Sequence, residues 1–194
     1  QQDKENPKVN PKASSDADSN RFDDVEAKYP LTPVQKGMVF DSRLEENSGV
    51  NVEQIVWSFE GELDISAYRR AWKRCLGRHA ALRTSFQQEG RHDPVQVVHR
   101  DVTPPFEVRE TVAELSDEEQ KRQLETFLEQ DRRRGFDFET APLMRLTLFP
   151  LSATEYRVVW TFSHAILDGR SFTKVIREVF SFYEAFRQGE ALSI

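Results

Sequence analysis

The sequence predicts a mixed α/β fold, a layered lobe in which helices flank a mixed sheet. Three observations lead there. Apolar stripes at helical spacing alternate along the chain with short segments of strand character. The stripes open on side chains able to cap them, Thr32, Asp64 and Ser116, and two of them stop at Gly135 and Gly189. The length, 194 residues with 38% apolar content, suits one core, either a whole domain or one lobe of a larger one.

The first 20 residues, QQDKENPKVNPKASSDADSN, hold no aromatic residue and only one aliphatic side chain larger than alanine, Val9. Such a stretch buries too little surface to offset its ordering entropy. Residues 1–27 are therefore assigned to a flexible linker and 28–194 to the folded lobe, with order starting near Tyr29-Pro30. Thr32 caps a helix that has Pro33 at its favoured first position, although Gly37 weakens it. Val50 to Leu63 alternates with apolar groups on both faces, which suits a strand covered on both sides. Asp64 opens a helix striped by Tyr68, Ala71, Trp72, Cys75, Leu76 and His79, and Thr84 to Phe86 turn to strand character. Val95–His99 and Phe106–Arg109 are short strands separated by Pro104-Pro105. Ser116 to Glu119 is a capping box for a helix to Arg134. Its leading acids and trailing Arg132, Arg133 and Arg134 complement the helix dipole, and the arginine run reads as a solvated helix end rather than an anion site. Leu143–Phe149 and Tyr156–Ile166 are strands a hairpin apart. Phe172, Val175, Ile176, Val179, Phe180, Tyr183 and Phe186 stripe a last helix.

Composition excludes several classes of function. With 27 Lys and Arg against 33 Asp and Glu, the net charge is −6, which leaves no electrostatic footprint for duplex nucleic acid or an anionic membrane. One cysteine, Cys75, allows neither an internal disulfide nor a cysteine-rich zinc centre, and points to a reducing, cytoplasmic setting. No apolar run is long enough for a membrane span, and the N-terminus shows no signal-peptide core.

The richest chemistry lies where the strongest strand ends, in TFSHAILDGRS (161–171). By period 2, Tyr156, Val158, Trp160, Phe162 and His164 share one face. A histidine at a strand end beside a turn is either a reacting group or a buried residue hydrogen-bonded to backbone. Asp168 reads as a turn or capping residue and Gly169 as the turn itself. Ser163 lies in no G-x-S-x-G elbow, and His92 and His99 have no third ligand nearby in sequence. His79, at a helix end, reads as a packing or capping residue.

These residues resemble a known family. SHAILDG (163–169) is similar to the HHxxxDG motif of nonribosomal peptide synthetase condensation domains, with Ser163 for the first histidine. RHAALRTSF (78–86) is similar to that family's RHExLRTxF motif, with Ala80 at the Glu position, and YPLTPVQKGMVF (29–40) resembles its opening segment. The order and separation of the three motifs also match, over residues 28–194. The fold implied is a chloramphenicol acetyltransferase-like α/β sandwich lobe, the N-terminal one of a V-shaped pair. The second lobe, with its latch and floor loop, would lie outside these residues. A tunnel between the lobes would admit two carrier-protein arms, so the implied partners are donor and acceptor peptidyl carrier proteins and the missing C-terminal lobe.

Carried over residue by residue, the resemblance makes His164 the active-site histidine. It makes Asp168 a structural acid paired with Arg83, and Gly169 the residue that closes the turn. Ser163, turned to the other strand face, takes no catalytic part. The implied reaction joins a carrier-bound acyl thioester to a carrier-bound amine. A neutral imidazole with a pKa of about 6.5 suits an α-amine of about 7.7–8.0, either as base or as orienting group. No metal, nucleotide or resident cofactor is implied, because phosphopantetheine arrives on the carriers. SHxxxDxxS, ending at Ser171, also resembles a variant of fungal terminal cyclising domains. An ester-forming or cyclising acyltransferase and a noncatalytic carrier-binding module therefore stay open.

Overall fold

Three of the helices begin where a short polar side chain folds back onto the backbone ahead of it. The structure, a computed structural model, describes residues 24–45, 47–88, 90 and 93–189. After β1 (Val25–Pro30), Thr32 starts α1 (Pro33–Leu44). Its Oγ1 accepts from Gln35 N at 3.2 Å, while Gln35 Oε1 accepts from Thr32 N at 3.0 Å. β2 (Val52–Glu60) leads to α2 (Ile65–Arg78), opened by Asp64, whose carboxylate accepts from Ala67 N at 2.9 Å. A 3-10 turn (Ala80–Arg83) delivers the chain into β3 (Thr84–Gln87), followed by β4 (Val95–His99) and β5 (Phe106–Val108). Ser116 and Glu119 cap α3 (Asp117–Arg134), and Gly135 ends it in the left-handed region at φ 61°. β6 (Met144–Pro150) and β7 (Glu155–Ser163) form a hairpin, and α4 (Ser171–Arg187) follows. No helix among the described residues is long and apolar enough to cross a membrane.

The strands divide between two sheets. One is antiparallel, in the order β1-β4-β3; the other runs β2-β7-β6-β5, antiparallel except for the parallel β5–β6 pair. This is the mixed α/β architecture that the sequence predicts. In the larger sheet Met144, Leu146 and Leu148 lie opposite Phe162, Trp160 and Val158. That face packs under α2 and α4, where Tyr68, Trp72, Leu76, Val175, Val179 and Tyr183 are buried. Aromatic contacts tie the layers: Trp72 stands 5.0 Å from Trp160, and Tyr68 stands 5.6 Å from Tyr183.

Three expectations change. β1 begins at Val25, so residues 25–27 belong to the folded unit; the remainder of the expected linker, through residue 23, lies outside the described residues. Val25 pairs with His99, and Glu26 reaches Arg83 at 2.7 Å, contacts that composition does not reveal. β2 is not covered on both sides: on one face Val56 is 38% exposed, and Ser58 and Glu60 beside it are exposed too. β7 stops at Ser163 rather than Ile166, because Ser163 Oγ accepts from Ala165 N at 3.3 Å and Ser163 O from Ile166 N at 3.1 Å. Strict alternation therefore ends one residue before His164.

The second face of the larger sheet is held by an ion pair. Arg145 Nε donates to Asp131 Oδ1 at 2.5 Å, and its Nη2 donates to Asp131 O, also at 2.5 Å. Asp131 Oδ2 accepts from Thr161 Oγ1 at 2.6 Å and from Gln54 Nε2 at 3.0 Å. One carboxylate on α3 thus reaches β2, β6 and β7. The Asp131 and Arg145 side chains are only 4% and 11% exposed. Removing one partner would leave the other charge buried and unpaired, at a cost of about 3–5 kcal/mol. Asp131→Ala is expected to destabilise the fold by that amount in urea unfolding. The paired change Asp131→Leu with Arg145→Met is expected to recover most of the loss.

Candidate functional site

The turn after β7 is built around His164. Ser163 N donates to Leu143 O at 3.0 Å, and His164 N donates to Asn51 O at 2.8 Å, so backbone on both sides holds the strand end. Ser163 is buried at 1% exposure, and its hydroxyl accepts from Ala165 N. His164 is half-buried, and its Nδ1 lies 2.8 Å from Leu167 O. A carbonyl only accepts, so Nδ1 carries the proton. The neutral ring is therefore held in one tautomer, with the lone pair on Nε2. The structure ties one nitrogen of this histidine to backbone, as the buried reading expects.

Asp168 is exposed and serves the next helix. Its Oδ1 accepts from Ser171 N at 2.7 Å and from Arg170 N at 3.1 Å, capping α4 from outside its first turn. Hydrogen bonds from the Ser171 side chain and backbone, and from Arg170 N, hold the Asp168 carboxyl below the ordinary carboxylate range. Gly169 does not have the conformation that would require glycine, and a Cβ built on it would meet nothing within 4 Å. The turn closes on Asp168 rather than on glycine geometry.

Arg83 is not the partner of Asp168. Its guanidinium is 6% exposed and sits in the seam between the end of α2 and the smaller sheet. Nε donates to Leu76 O at 3.0 Å, and Nη1 donates to Glu26 Oε2 at 2.7 Å and to His99 O. The 3-10 turn aims the side chain inward, and the acid that meets it comes from β1. Arg83 holds the Glu26 carboxyl below its usual range through that hydrogen bond and its charge.

Two further constellations come from distant parts of the chain. Ser85 Oγ lies 2.8 Å from His99 Nε2, and His99 Nδ1 lies 3.2 Å from Asp24 Oδ2. The order is that of a nucleophile, base and acid relay. Ser85 is fully buried, however, and no substrate reaches it; the trio pins the segment before β1 to β3 and β4. Cys75, His79 and Glu178 have ligand atoms within 4.8 Å of one another, the one group of metal-ligating types found among the described residues. Glu178 is already shared by His79 at 2.7 Å and Arg78 at 3.4 Å. Burial pushes the Cys75 thiol up to about 12. The cluster acts as a clamp between α2 and α4. His92 lies outside the described residues.

A cavity of about 510 Å³ opens beside the strand end, lined among others by Ser42, Asn51, Arg134, Phe138 and Ser163. Nearer the start of α1, Gln35 Nε2 donates to Ala165 O at 3.2 Å. The opening segment, the arginine motif and the histidine motif thus converge only in part. The first touches the His164 turn, whereas Arg83 belongs to the smaller sheet's seam.

Residues 25–194 match the family model described as the Condensation domain. The chain belongs to the condensation domain family. It is 41% identical over 169 residues to one of the linear gramicidin synthase proteins of Brevibacillus parabrevis, covering 87% of this chain and 2% of that protein. It is 35% identical over 170 residues to bacitracin synthase 1 of Bacillus licheniformis, covering 86% and 3%. Among solved structures, the first condensation domain of the calcium-dependent antibiotic synthetase, in complex with a substrate analogue, superposes with a TM-score of 0.75 at 17% identity, covering 88% of this chain and 41% of that one. The X-domain in complex with OxyB from teicoplanin biosynthesis superposes at 0.71 with 25% identity, covering 85% and 34%. The chain therefore spans a few per cent of the curated synthases and about 40% of a solved condensation domain, which is one lobe.

The geometry of this condensation lobe permits two checks. A double-mutant cycle on Arg83→Met and Glu26→Gln is expected to show coupling, while Arg83→Met and Asp168→Asn are expected to be additive, both read from thermal unfolding. Asp168 has a folded-state pKa below its unfolded value of 3.8, so its stabilisation is full above that value and is lost as pH falls through the folded pKa. Asp168→Asn is therefore expected to lower the melting temperature at neutral pH and to lose that effect once the pH has fallen through the folded pKa.

Proposed function

We propose that this chain is the N-terminal lobe of an amide-forming condensation domain and that His164 acts directly on the attacking amine. The carrying observation is the bond between Nδ1 and Leu167 O, which leaves the Nε2 lone pair available. The amine nitrogen forms a bond to the thioester carbonyl carbon. Nε2 accepts or orients the amine's proton, the tetrahedral intermediate expels the thiolate, and that sulfur takes up the proton. Aminolysis of a thioester runs downhill, so the step calls for no nucleotide. Donor and acceptor carrier proteins deliver the substrates on phosphopantetheine arms, and a second lobe supplies the facing wall. The parent acts in the cytoplasm. On this reading residues 1–194 alone form no amide, because positioning two arms contributes roughly 7–11 kcal/mol of the barrier reduction.

The likeness to an X-domain solved in complex with OxyB supports a second reading, a lobe kept for docking another protein. One experiment separates the two. In the full-length parent with preloaded carriers, His164→Ala is expected to reduce single-turnover product by about 10²–10⁴-fold at an unchanged melting temperature. Ser163→Ala is expected to leave turnover within a few-fold of the parent. Near-parental turnover by His164→Ala would remove the histidine from the chemistry and favour the docking reading.

A further inference from the structure

Asn51 is a non-glycine residue in the left-handed region, at φ 57°, immediately before β2. Asparagine tolerates that conformation better than most residues, but a chain does not adopt it without compensation. Here the compensation comes from both halves of the residue. The β2–β7 register ends at the pair Val52 and Ser163. One position further on, Asn51 O accepts from His164 N at 2.8 Å. The side chain turns the other way: Nδ2 donates to Met38 O at 3.1 Å and to Ser42 Oγ at 3.3 Å, both on α1. Ser42 Oγ donates in turn to Val50 O at 3.4 Å, so the loop before β2 is tied to the same turn of helix. Gln35 on α1 independently holds the next carbonyl of the histidine turn, Ala165 O.

We propose that Asn51 is a positioning residue for His164, coupling α1 to the imidazole and fixing which nitrogen is free. The effect on rate rests on the condensation reading; the effect on the ring stands apart from it. The Nδ1 bond to Leu167 O closes a short loop whose first residue is His164 itself. Asn51 O anchors the His164 amide at the start of that loop, beside the bonds that Ala165 N and Ile166 N make to Ser163. The register that pairs Val52 with Ser163 sets residue 51 opposite His164, and with Val52 N bonded back to Gly49 O at 3.2 Å the carbonyl of residue 51 faces β7. The left-handed state turns the chain ahead of residue 51 toward α1 while that carbonyl keeps its bond to His164, and the bonds to Met38 O and Ser42 Oγ stabilise the bend.

Substitutions divide the two halves. Asn51→Ala removes the side-chain bonds and disfavours the backbone state. Asn51→Gly removes the side-chain bonds but keeps the left-handed state accessible. Asn51→Asp sets an acceptor against Met38 O. The decisive readout is the ¹⁵N chemical shifts of the His164 ring in the full chain, which report the tautomer directly, with the melting temperature alongside. The unsubstituted chain is expected to hold the proton on Nδ1. Asn51→Ala and Asn51→Asp are expected to shift His164 toward a mixture of tautomers, and Asn51→Gly to restore much of the Nδ1 form. In the full-length parent, single-turnover rates are expected to fall by about 10²-fold for Asn51→Ala, as for a misplacement of about 1 Å, with partial recovery in Asn51→Gly. A folded Asn51→Ala chain with unchanged His164 shifts would overturn the proposal. So would an Asn51→Gly chain that behaves as poorly as Asn51→Ala. If Asn51→Ala fails to fold, Asn51→Gly carries the test: a ring still held on Nδ1 supports the backbone role, and a mixed tautomer refutes it. Should His164→Ala prove silent, the condensation reading fails, while the ring shifts still decide the role of Asn51.

Discussion

A single carboxylate, Asp131, holds the second face of the main sheet together. It accepts from side chains on β2, β6 and β7 while its own carbonyl receives the other arm of Arg145. Without it, α3 would rest on a face that carries Arg145, Thr147 and Thr161, which offers little apolar area to grip. Arg145 also donates to Gly135 O at 2.7 Å, which fixes where α3 ends. From that end the chain runs to Phe138, whose carbonyl accepts from Phe86 N at 2.6 Å and whose ring lies 5.9 Å from that of Phe86. The two sheets thus meet through a segment whose starting point the ion pair sets.

The helices were legible because each is written locally. Thr32 with Gln35, Asp64 with Ala67 and Ser116 with Glu119 all lie within one turn of sequence, and the stripe from Tyr68 to Leu76 shows its buried face by spacing alone. The existence of every strand but β1 was legible for the same reason. Face burial was not: Val56 alternates as it would in a strand covered on both sides, and only the packing of neighbours leaves it exposed. β1 itself was hidden, because the polar string around Asp24 and Glu26 resembles the tail before it. Its order comes from His99 and Arg83, which lie more than fifty residues away.

At the candidate site, motif and chemistry separated. His164 was singled out by its place at a strand end and by resemblance, and the geometry adds what sequence cannot hold, the proton on Nδ1. Asp168 was legible as a cap, since Ser171 follows three residues later, but pairing it with Arg83 required a spatial fact. Two charged residues in neighbouring motifs do not identify each other as partners. Glu26, which no motif marks, is the acid that Arg83 meets. Asn51 left no signal beyond being a polar residue before a strand, because its left-handed backbone and its bonds to α1 are both tertiary.

The anchoring of β1 bears on how synthetase segments are recombined. A splice made at residue 28, where composition alone would set the boundary, keeps Tyr29 and the capping box but discards Asp24 and Glu26. The graft would then carry the Arg83 guanidinium without its carboxylate and His99 without its acid, deep in a seam that a foreign linker does not fill. A junction placed ahead of Asp24 transfers the lobe together with its own fastening.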